Sequence, residues 1–307
     1  MMNNCIDVYA APTIDHAADN IERGGPAFYI LFAMHGVGAS IGVNLALPCS
    51  NTAASEYLAE PCRPTNFEAY RDCATAFSLE LDPQGVKRLK ALHSTFFSDA
   101  LPSCNAAVFS PINWEYSPML LAKYSAGYRV CILDVQGFTR ISSDGRIERF
   151  GHLLAELRGH IPWNCIVRIS VEDVGDEGLE ALSYIVDVLA PIRLVVTFGE
   201  KGAIALDRAA GIAVAVEPYV SEGYSVGAGD MFTGILAYML LRGEDLAGAT
   251  IAAASAVKCL LDSREGTCIE KGVCSKNLVE IKVRKVKRLP CTCHNFNSII
   301  SLLEWWY

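Results

Sequence analysis

The middle of the chain alternates short apolar runs with longer stretches of helical periodicity. Four β-rich runs predict buried strands, namely Ala106–Phe109, Arg129–Leu133, Cys165–Ile169 and Leu194–Thr197. The helical patterns that separate or flank them are Pro26–His35, Pro83–Ser98, Tyr116–Tyr124, Phe150–Leu157, Glu177–Leu189, Asp230–Leu241 and Leu246–Leu261. Strands that are apolar throughout and alternate with helices are typical of a parallel sheet covered on both faces. The pattern therefore predicts a three-layer α/β/α fold with a mostly parallel central sheet.

Residues 43–82 have a different pattern, because polar and turn residues interrupt short alternating runs such as Thr75–Leu81. Alternation of this kind favours half-exposed antiparallel strands. We expect a small β lid from 43–82, beside an α/β domain formed by 1–42 and 83–275.

The residues from Lys276 to the end carry six basic and two acidic side chains, so that 276–307 has a charge of +4 and the rest of the chain −12. The alternating Val279, Ile281 and Val283 predict an added strand in this basic C-terminal extension. A solvated edge strand and a docking or oligomer surface both fit.

Composition excludes several classes of protein. Apolar residues make up 51% of the chain and charged residues 20%, which is typical of a folded protein. The net charge of −8 argues against a general nucleic-acid binder. We find no apolar run of about 18 residues, as a membrane helix would need, and no signal-peptide pattern at the start. These observations predict a cytoplasmic location, with no membrane partner.

Cysteine is unusually frequent, at 12 residues. None forms a CxxC pair, and Cys291 and Cys293 with His294 lack a second pair to complete a zinc site. We interpret most of the cysteines as buried thiols. Intracellular disulfides are the alternative.

The clearest chemical signal is the run of small residues Gly227, Ala228 and Gly229, which leads into an apolar helix with Asp230 in its first turn. Such residues expose amide N–H groups at a helix N-terminus, where a phosphate is stabilised. A carboxylate in the same turn can accept a proton from a hydroxyl that attacks the phosphate.

In this stretch, 224–238, the chain resembles the ribokinase/PfkB family of carbohydrate kinases, including archaeal and inositol-kinase-like members. The resemblance implies a ribokinase-like fold, ATP and Mg²⁺ as cofactors, Asp230 as catalytic base and the amides of 227–229 as the anion hole. It extends over about residues 5–268 and leaves the C-terminal extension unmatched.

Three further segments occur in the order that this family has. The strand and turn around Thr197, Gly199 and Gly202 resemble its nucleotide-binding motif, with Lys258 as a further nucleotide contact. Asp15 with Gly24 and Gly25 resembles its sugar-binding residues. The strand-end loops Ser110–Glu115 and Leu133–Phe138 resemble its site-lining loops, which implies that Asp134 and Gln136 contact the substrate.

Three positions depart from the family pattern. Tyr224, Ser225 and Val226 stand where the family usually has Asp-Thr-Thr, and the lost Asp puts a monovalent-cation site in doubt. Ser170 stands where an Asn is usual, while Asp173 keeps a carboxylate that could hold magnesium through water. Tyr29 replaces an Asn after the glycine pair, which argues for a polyol other than ribose.

The pattern leaves several functions open. The leading hypothesis is an ATP-dependent kinase that phosphorylates a hydroxyl of a sugar, polyol or nucleoside, with a homodimer as a further expectation. A vitamin-type hydroxymethyl kinase of the same fold is the enzymatic alternative. A sensor that retains the kinase fold without catalysis is the other, although the intact Gly-Ala-Gly-Asp run argues against it.

Overall fold

The fold is described from a computed structural model, within residues 3–17, 20–46, 74–81, 87–93, 104–143, 146–149, 151–177, 182, 189, 191–216, 225–265, 268–278 and 286–287. Its strands form two sheets, and its four described α-helices pack on the larger one. The four helices are α1 (Gly25–Gly36), α2 (Pro118–Ser125), α3 (Ala228–Leu241) and α4 (Leu246–Ser263).

The larger sheet has nine strands. In chain order they are β1 (Asn3–Tyr9), β4 (Gly42–Ala46), β7 (Cys104–Phe109), β8 (Val130–Asp134), β11 (Cys165–Ser170), β12 (Arg193–Thr197), β13 (Ala203–Asp207), β14 (Ile212–Val216) and β15 (Val286–Lys287). Their spatial order is β15-β14-β13-β12-β11-β8-β7-β1-β4. The six strands from β12 to β4 are parallel, and β13 to β15 are antiparallel. The predicted mostly parallel sheet is confirmed.

Both faces of this sheet are covered by apolar side chains, which explains why its strands read as continuous apolar runs. Ile132 of β8 belongs to the core on the side of α1, α3 and α4. Its neighbours Cys131 and Leu133 belong to the core on the other side, with Phe109 and Phe138. Successive strand residues point to opposite faces, so that each run supplies both cores.

The helices begin where the sequence supplies caps. The side chain of Asp245 accepts a hydrogen bond from the Gly248 amide at the start of α4, and Ser117 caps α2 in the same way. Helix α4 differs from the expectation that no apolar run reaches about 18 residues. It is 18 residues long and, by length and composition alone, apolar enough to cross a membrane. Half of it is buried against the rest of the fold, as in a core helix.

The smaller sheet draws its strands from three separated parts of the chain. They are β2 (Thr13–Ala17), β3 (Asn20–Gly24), β5 (Thr75–Leu81), β6 (Lys87–His93), β9 (Arg140–Ser143) and β10 (Arg146–Arg149), in the order β3-β2-β5-β6-β10-β9. The lid boundary predicted at 43–82 differs from this arrangement. Residues 43–46 lie in β4 of the larger sheet, 47–73 are outside the described residues, and strand pairing recruits segments on either side.

The helix predicted for Pro83–Ser98 is wrong over its described part. Residues Lys87–His93 form β6, which pairs antiparallel with β5. The segment is rich in good helix formers, but pairing with a neighbouring strand overrides such propensities. Residues Gly151–Leu157 form a 3₁₀ helix in place of the predicted α-helix. Most of the helix predicted at Glu177–Leu189 lies outside the described residues.

The interpretation of most cysteines as buried thiols is wrong for the six cysteines that form the described disulfides. Disulfides join Cys5 to Cys104, Cys131 to Cys165 and Cys259 to Cys274. Cys131 and Cys165 lie opposite each other on β8 and β11, with Cα atoms 4.5 Å apart. Strand register decides this proximity, and spacing along the chain does not reveal it.

The C-terminal extension contributes β15, which pairs antiparallel with β14. This strand is a continuation of the larger sheet. The alternating residues Val279–Val283 lie outside the described residues, and a docking role for the extension stays a prediction.

Candidate active site

A cavity of about 470 Å³ opens at the carboxyl ends of the parallel strands. Ser170 ends β11 and Thr197 ends β12, and both line it together with the first turn of α3. Open α/β sheets bind ligands at this edge because loops diverge there. Residues Thr13 and Asp15 of the smaller sheet line the same cavity. The larger sheet, its helices and the smaller sheet thus meet at one site.

The glycine-rich turn at the start of α3 combines a left-handed residue with close packing against a tyrosine ring. Gly227 caps the helix with φ of 81°, a left-handed conformation that favours glycine. A Cβ at this position would also lie 2.3 Å from ring atoms of Tyr29, so the tyrosine packs directly against the turn. The Ala228 amide donates to the carbonyl of Ser225, so it is engaged within the turn. Gly227 and Gly229 line the cavity together with Ala228.

Asp230 lies in the first turn of α3 and is half-buried. Gln136 donates a hydrogen bond from Nε2 to Asp230 Oδ1 at 3.0 Å. Burial, followed by the negative charge of Asp134, raises the pKa of Asp230 to about 7, against the opposing effects of Arg168, Gln136 and Arg140. The carboxyl group can therefore accept or release a proton near neutral pH.

A fully buried ion pair lies behind the turn. Arg168 of β11 donates from Nη1 to Asp134 Oδ2 at 2.9 Å and from Nη2 to Thr197 Oγ1 at 2.6 Å. Asp134 also accepts from Thr233 Oγ1 of α3. A Cβ on Gly229 would lie 2.8 Å from Arg168 Nη2, so the guanidinium needs a glycine there. Through Thr233, the pair joins two strands to helix α3, which carries Asp230.

Asp134 therefore occupies a different place from the substrate contact predicted for it. It is fully buried, is not among the residues that line the cavity, and holds Arg168 instead. Arg168 and Arg140 were not predicted as site residues, although both line the cavity. A single arginine within the apolar run Cys165–Ser170 was the available signal, since a buried arginine needs a partner.

The residues predicted to bind the sugar lie together at the end of the cavity nearest the smaller sheet. Asp15 and Gly25 line the cavity, and the Asp15 carboxylate lies against Gly24, where a Cβ would be 2.0 Å from Oδ2. Gly24 is the N-cap of α1. Gln136 lines the same cavity.

The residues predicted to bind the nucleotide line the same cavity. Thr197, Gly199, Gly202 and Lys258 all line it. Gly199 and Gly202 have φ of 57° and 100° in the turn between β12 and β13, which closes with a hydrogen bond from the Phe198 amide to the Gly202 carbonyl. The hydroxyl of Thr197 is already engaged by Arg168. The cavity also has apolar lining residues, which are Ala203, Val226, Ala254, Val257 and Leu261.

Carboxylates outnumber cations on the cavity wall. The acids are Asp15, Glu172, Asp173, Glu200 and Asp230, and the bases are Arg140, Arg168 and Lys258. Asp173, the predicted metal contact, accepts from the Ser170 amide and lies 4.0 Å from Arg168 Nη1. No cluster of three or more potential metal-ligating side chains occurs among the described residues. One or two carboxylates are nevertheless a sufficient protein donor set for Mg²⁺ when phosphates and waters complete its shell.

Comparison with known proteins supports this architecture. A family model described as pfkB family carbohydrate kinase matches residues 175–271, which include the turn and all of α3 and α4. The resemblance inferred from the sequence is thereby confirmed. None of the curated proteins matches the chain.

Several solved structures have a similar fold at low sequence identity. A pyrophosphate-dependent kinase of the ribokinase family, in a sulfate complex, has a TM-score of 0.60 at 15% identity, covering 90% of this chain and 99% of its own. Ribokinase from Arabidopsis thaliana, complexed with ribose and ATP, has a TM-score of 0.60 at 13% identity, covering 92% and 100%. Phosphofructokinase-2 from Escherichia coli, in complex with potassium, has a TM-score of 0.56 at 16% identity, covering 91% and 98%. The fold is ribokinase-like.

Proposed function

We propose that this protein is an ATP-dependent kinase that transfers the γ-phosphate to a hydroxyl of a sugar, polyol or nucleoside. The observation that carries the proposal is the position of Asp230. Its carboxyl group, with a pKa of about 7, lies in the same helix turn as the glycine-rich segment 227–229 and faces one cavity with it. A base and an anion site so close together suit phosphoryl transfer to an alcohol.

In the proposed reaction, the acceptor lies between Asp15 and Asp230. Asp230 takes the proton from its hydroxyl as the oxygen attacks the terminal phosphorus. The bond between that phosphorus and the donor's bridging oxygen breaks, and the donor leaves as a diphosphate. The amides of Gly227 and Gly229 and the positive end of the α3 dipole stabilise the negative charge on the transferred group, whereas the Ala228 amide is engaged by Ser225. The guanidinium of Arg168 lies directly behind the turn, where Asp134 balances its charge.

The donor end of the cavity supports a nucleotide. Beyond the glycine-rich turn the wall is apolar, which suits the flat faces of a base. Pyrophosphate is the second candidate donor, because a pyrophosphate-dependent kinase is among the similar structures. Pyrophosphate would leave the apolar wall formed by α4 without a ligand to cover it.

The excess of carboxylates on the wall supports a requirement for Mg²⁺, because a triphosphate alone would be repelled. Glu172 and Asp173 would hold it, and the ion would neutralise the phosphate oxygens. The smaller sheet is proposed to act as a lid over the acceptor, and a cytoplasmic location and a homodimer belong to the same proposal.

The test is a turnover screen with ATP and, separately, pyrophosphate, over sugars, inositols, nucleosides and hydroxymethyl vitamins. Product is measured as phosphorylated acceptor by mass spectrometry, so that both donors are read alike. We expect ATP to support turnover of a polyhydroxylated acceptor and Asp230→Asn to abolish most of it. Turnover with pyrophosphate alone would replace the donor assignment, and turnover of vitamins alone would replace the acceptor class. Saturable ligand binding without turnover would favour a sensor.

A further inference from the structure

A chain of three polar side chains connects the smaller sheet to Asp230. Arg140 donates from Nη2 to Gln136 Oε1 at 3.2 Å, and Gln136 donates from Nε2 to Asp230 Oδ1 at 3.0 Å. An arginine can only donate, so the amide oxygen of Gln136 must face it. The NH₂ group is therefore directed at the carboxylate, and the chain has a single orientation.

The segment that carries Gln136 and Arg140 is fixed to its surroundings at several points. The backbone amide of Gln136 donates to Asp134 Oδ1. Arg140 donates a second hydrogen bond, from Nη1 to the Ile112 carbonyl at 3.1 Å. Trp114 Nε1 in turn donates to the Arg140 carbonyl at 2.9 Å. Side chains held this firmly can impose a geometry on the group that they contact.

Arg140 is also the first residue of β9, an edge strand of the smaller sheet. Asp15, proposed to hold the acceptor, lies on β2 of the same sheet. A shift of the smaller sheet would therefore move the acceptor contact Asp15 and, through two hydrogen bonds, the carboxyl group of Asp230.

We propose that Gln136 and Arg140 are positioning residues for Asp230, with Gln136 occupying Oδ1 so that Oδ2 accepts the acceptor's proton, and with Arg140 linking this geometry to the smaller sheet. This assignment rests on the proposed kinase function. It gives Gln136 a role different from the substrate contact that the sequence predicts. The two roles differ in what they do to Asp230 in the absence of substrate.

The electrostatic consequence has a definite sign. The charged groups that face Asp230 are Asp134 on β8, Arg168 on β11 and Arg140 on β9. A hydrogen bond from Gln136 stabilises the ionised carboxylate and so lowers its pKa against the larger effect of burial. Removing that donor must raise the pKa of Asp230 further, and the acid limb of the rate profile must move to higher pH with it.

The test compares Gln136→Met with Thr139→Val. The first keeps the length of the side chain and removes its hydrogen bonds. The second is a matched control, because it removes a hydrogen bond to the Gln136 carbonyl in the same turn and leaves the amide chain in place. The pKa of Asp230 is read from the ¹³C shift of its carboxyl carbon in aspartate-labelled protein, with Asp230→Asn for assignment. This titration requires no turnover in either variant.

We expect the titration midpoint of Asp230 to rise in Gln136→Met and to stay at the wild-type value in Thr139→Val. With an acceptor found by the screen, kcat should fall about 10–100-fold in Gln136→Met while KM for the donor is unchanged. Arg140→Met should raise the midpoint as well, which provides a second route if Gln136→Met fails to fold. An unchanged midpoint in the folded variant overturns the assignment, as does a rise in acceptor KM with kcat and pH profile unaltered. Failure of the wild-type protein in the screen would count against the kinase function and leave the titration result readable.

Discussion

The substitution Asp230→Asn separates the catalytic and the structural consequences of the same carboxylate. Asn has nearly the same size and keeps an oxygen that can accept the hydrogen bond from Gln136 Nε2. It cannot take up a proton at neutral pH. If Asp230 is the general base, kcat should fall by about 10²–10⁴-fold with little change in KM for either substrate.

The same substitution should stabilise the fold at neutral pH, and the sign follows from the raised pKa. Asp230 titrates near 7 in the folded protein, against about 3.9 in an unfolded chain. Between these values the folded state binds the extra proton, so its stability falls as the pH rises through that window. A difference of three pH units would correspond to at most about 4 kcal/mol. Because Asp230 is partly open to the cavity, we expect roughly 1–2 kcal/mol after solvent screening.

Chemical denaturation of wild type and variant at pH 4 and pH 8 measures this effect. Asp207→Asn is a matched control, because Asp207 ends β13, is not among the residues that line the cavity, and accepts from the Ala210 amide through Oδ1. The stability difference for Asp230→Asn should be small at pH 4 and favour the variant at pH 8, and the control should show no such trend. Near-wild-type turnover in Asp230→Asn would refute the assignment of the base. A variant that is no more stable at pH 8 would refute the burial argument.

Three further changes test other parts of the structure. Gly202→Val should weaken ATP binding in calorimetry, and because Gly202 has φ of 100° it should also lower stability by roughly 1–3 kcal/mol; unchanged affinity would make the turn purely structural. Arg168→Met should cost about 3–5 kcal/mol in a denaturant melt by leaving Asp134 buried and unpaired, and adding Asp134→Leu should restore much of that loss; equal losses in the single and double variants would contradict the buried pair. Full reduction should lower Tm by many degrees, because each of the three described disulfides contributes typically about 2–4 kcal/mol; an unchanged Tm, with free thiols verified by mass spectrometry, would contradict it.

Local pattern was sufficient for the features that depend on one segment at a time. Four of the buried strands, the helix after Asp230 and the glycine-rich turn were predicted within a few residues, because apolar periodicity and small residues act over a single element. The buried strands β1, β13 and β14 were not predicted. Asp15, Thr197, Gly199, Gly202 and Lys258 were predicted to share a site with that turn, and they line one cavity. The family resemblance supplied this grouping, since no spacing along the chain implies it.

Pairing between distant segments decided the rest. Residues Lys87–His93 form a strand because β5 and β10 pair with them, although their composition favours a helix. Cys131 and Cys165 form a disulfide because two strands lie in register, and Asp134 faces Arg168 inside the fold instead of the acceptor. The Arg140–Gln136–Asp230 chain joins segments 94 residues apart through contacts between side chains. Register, side-chain direction and burial arise only when the chain has closed on itself, so they belong to the tertiary structure.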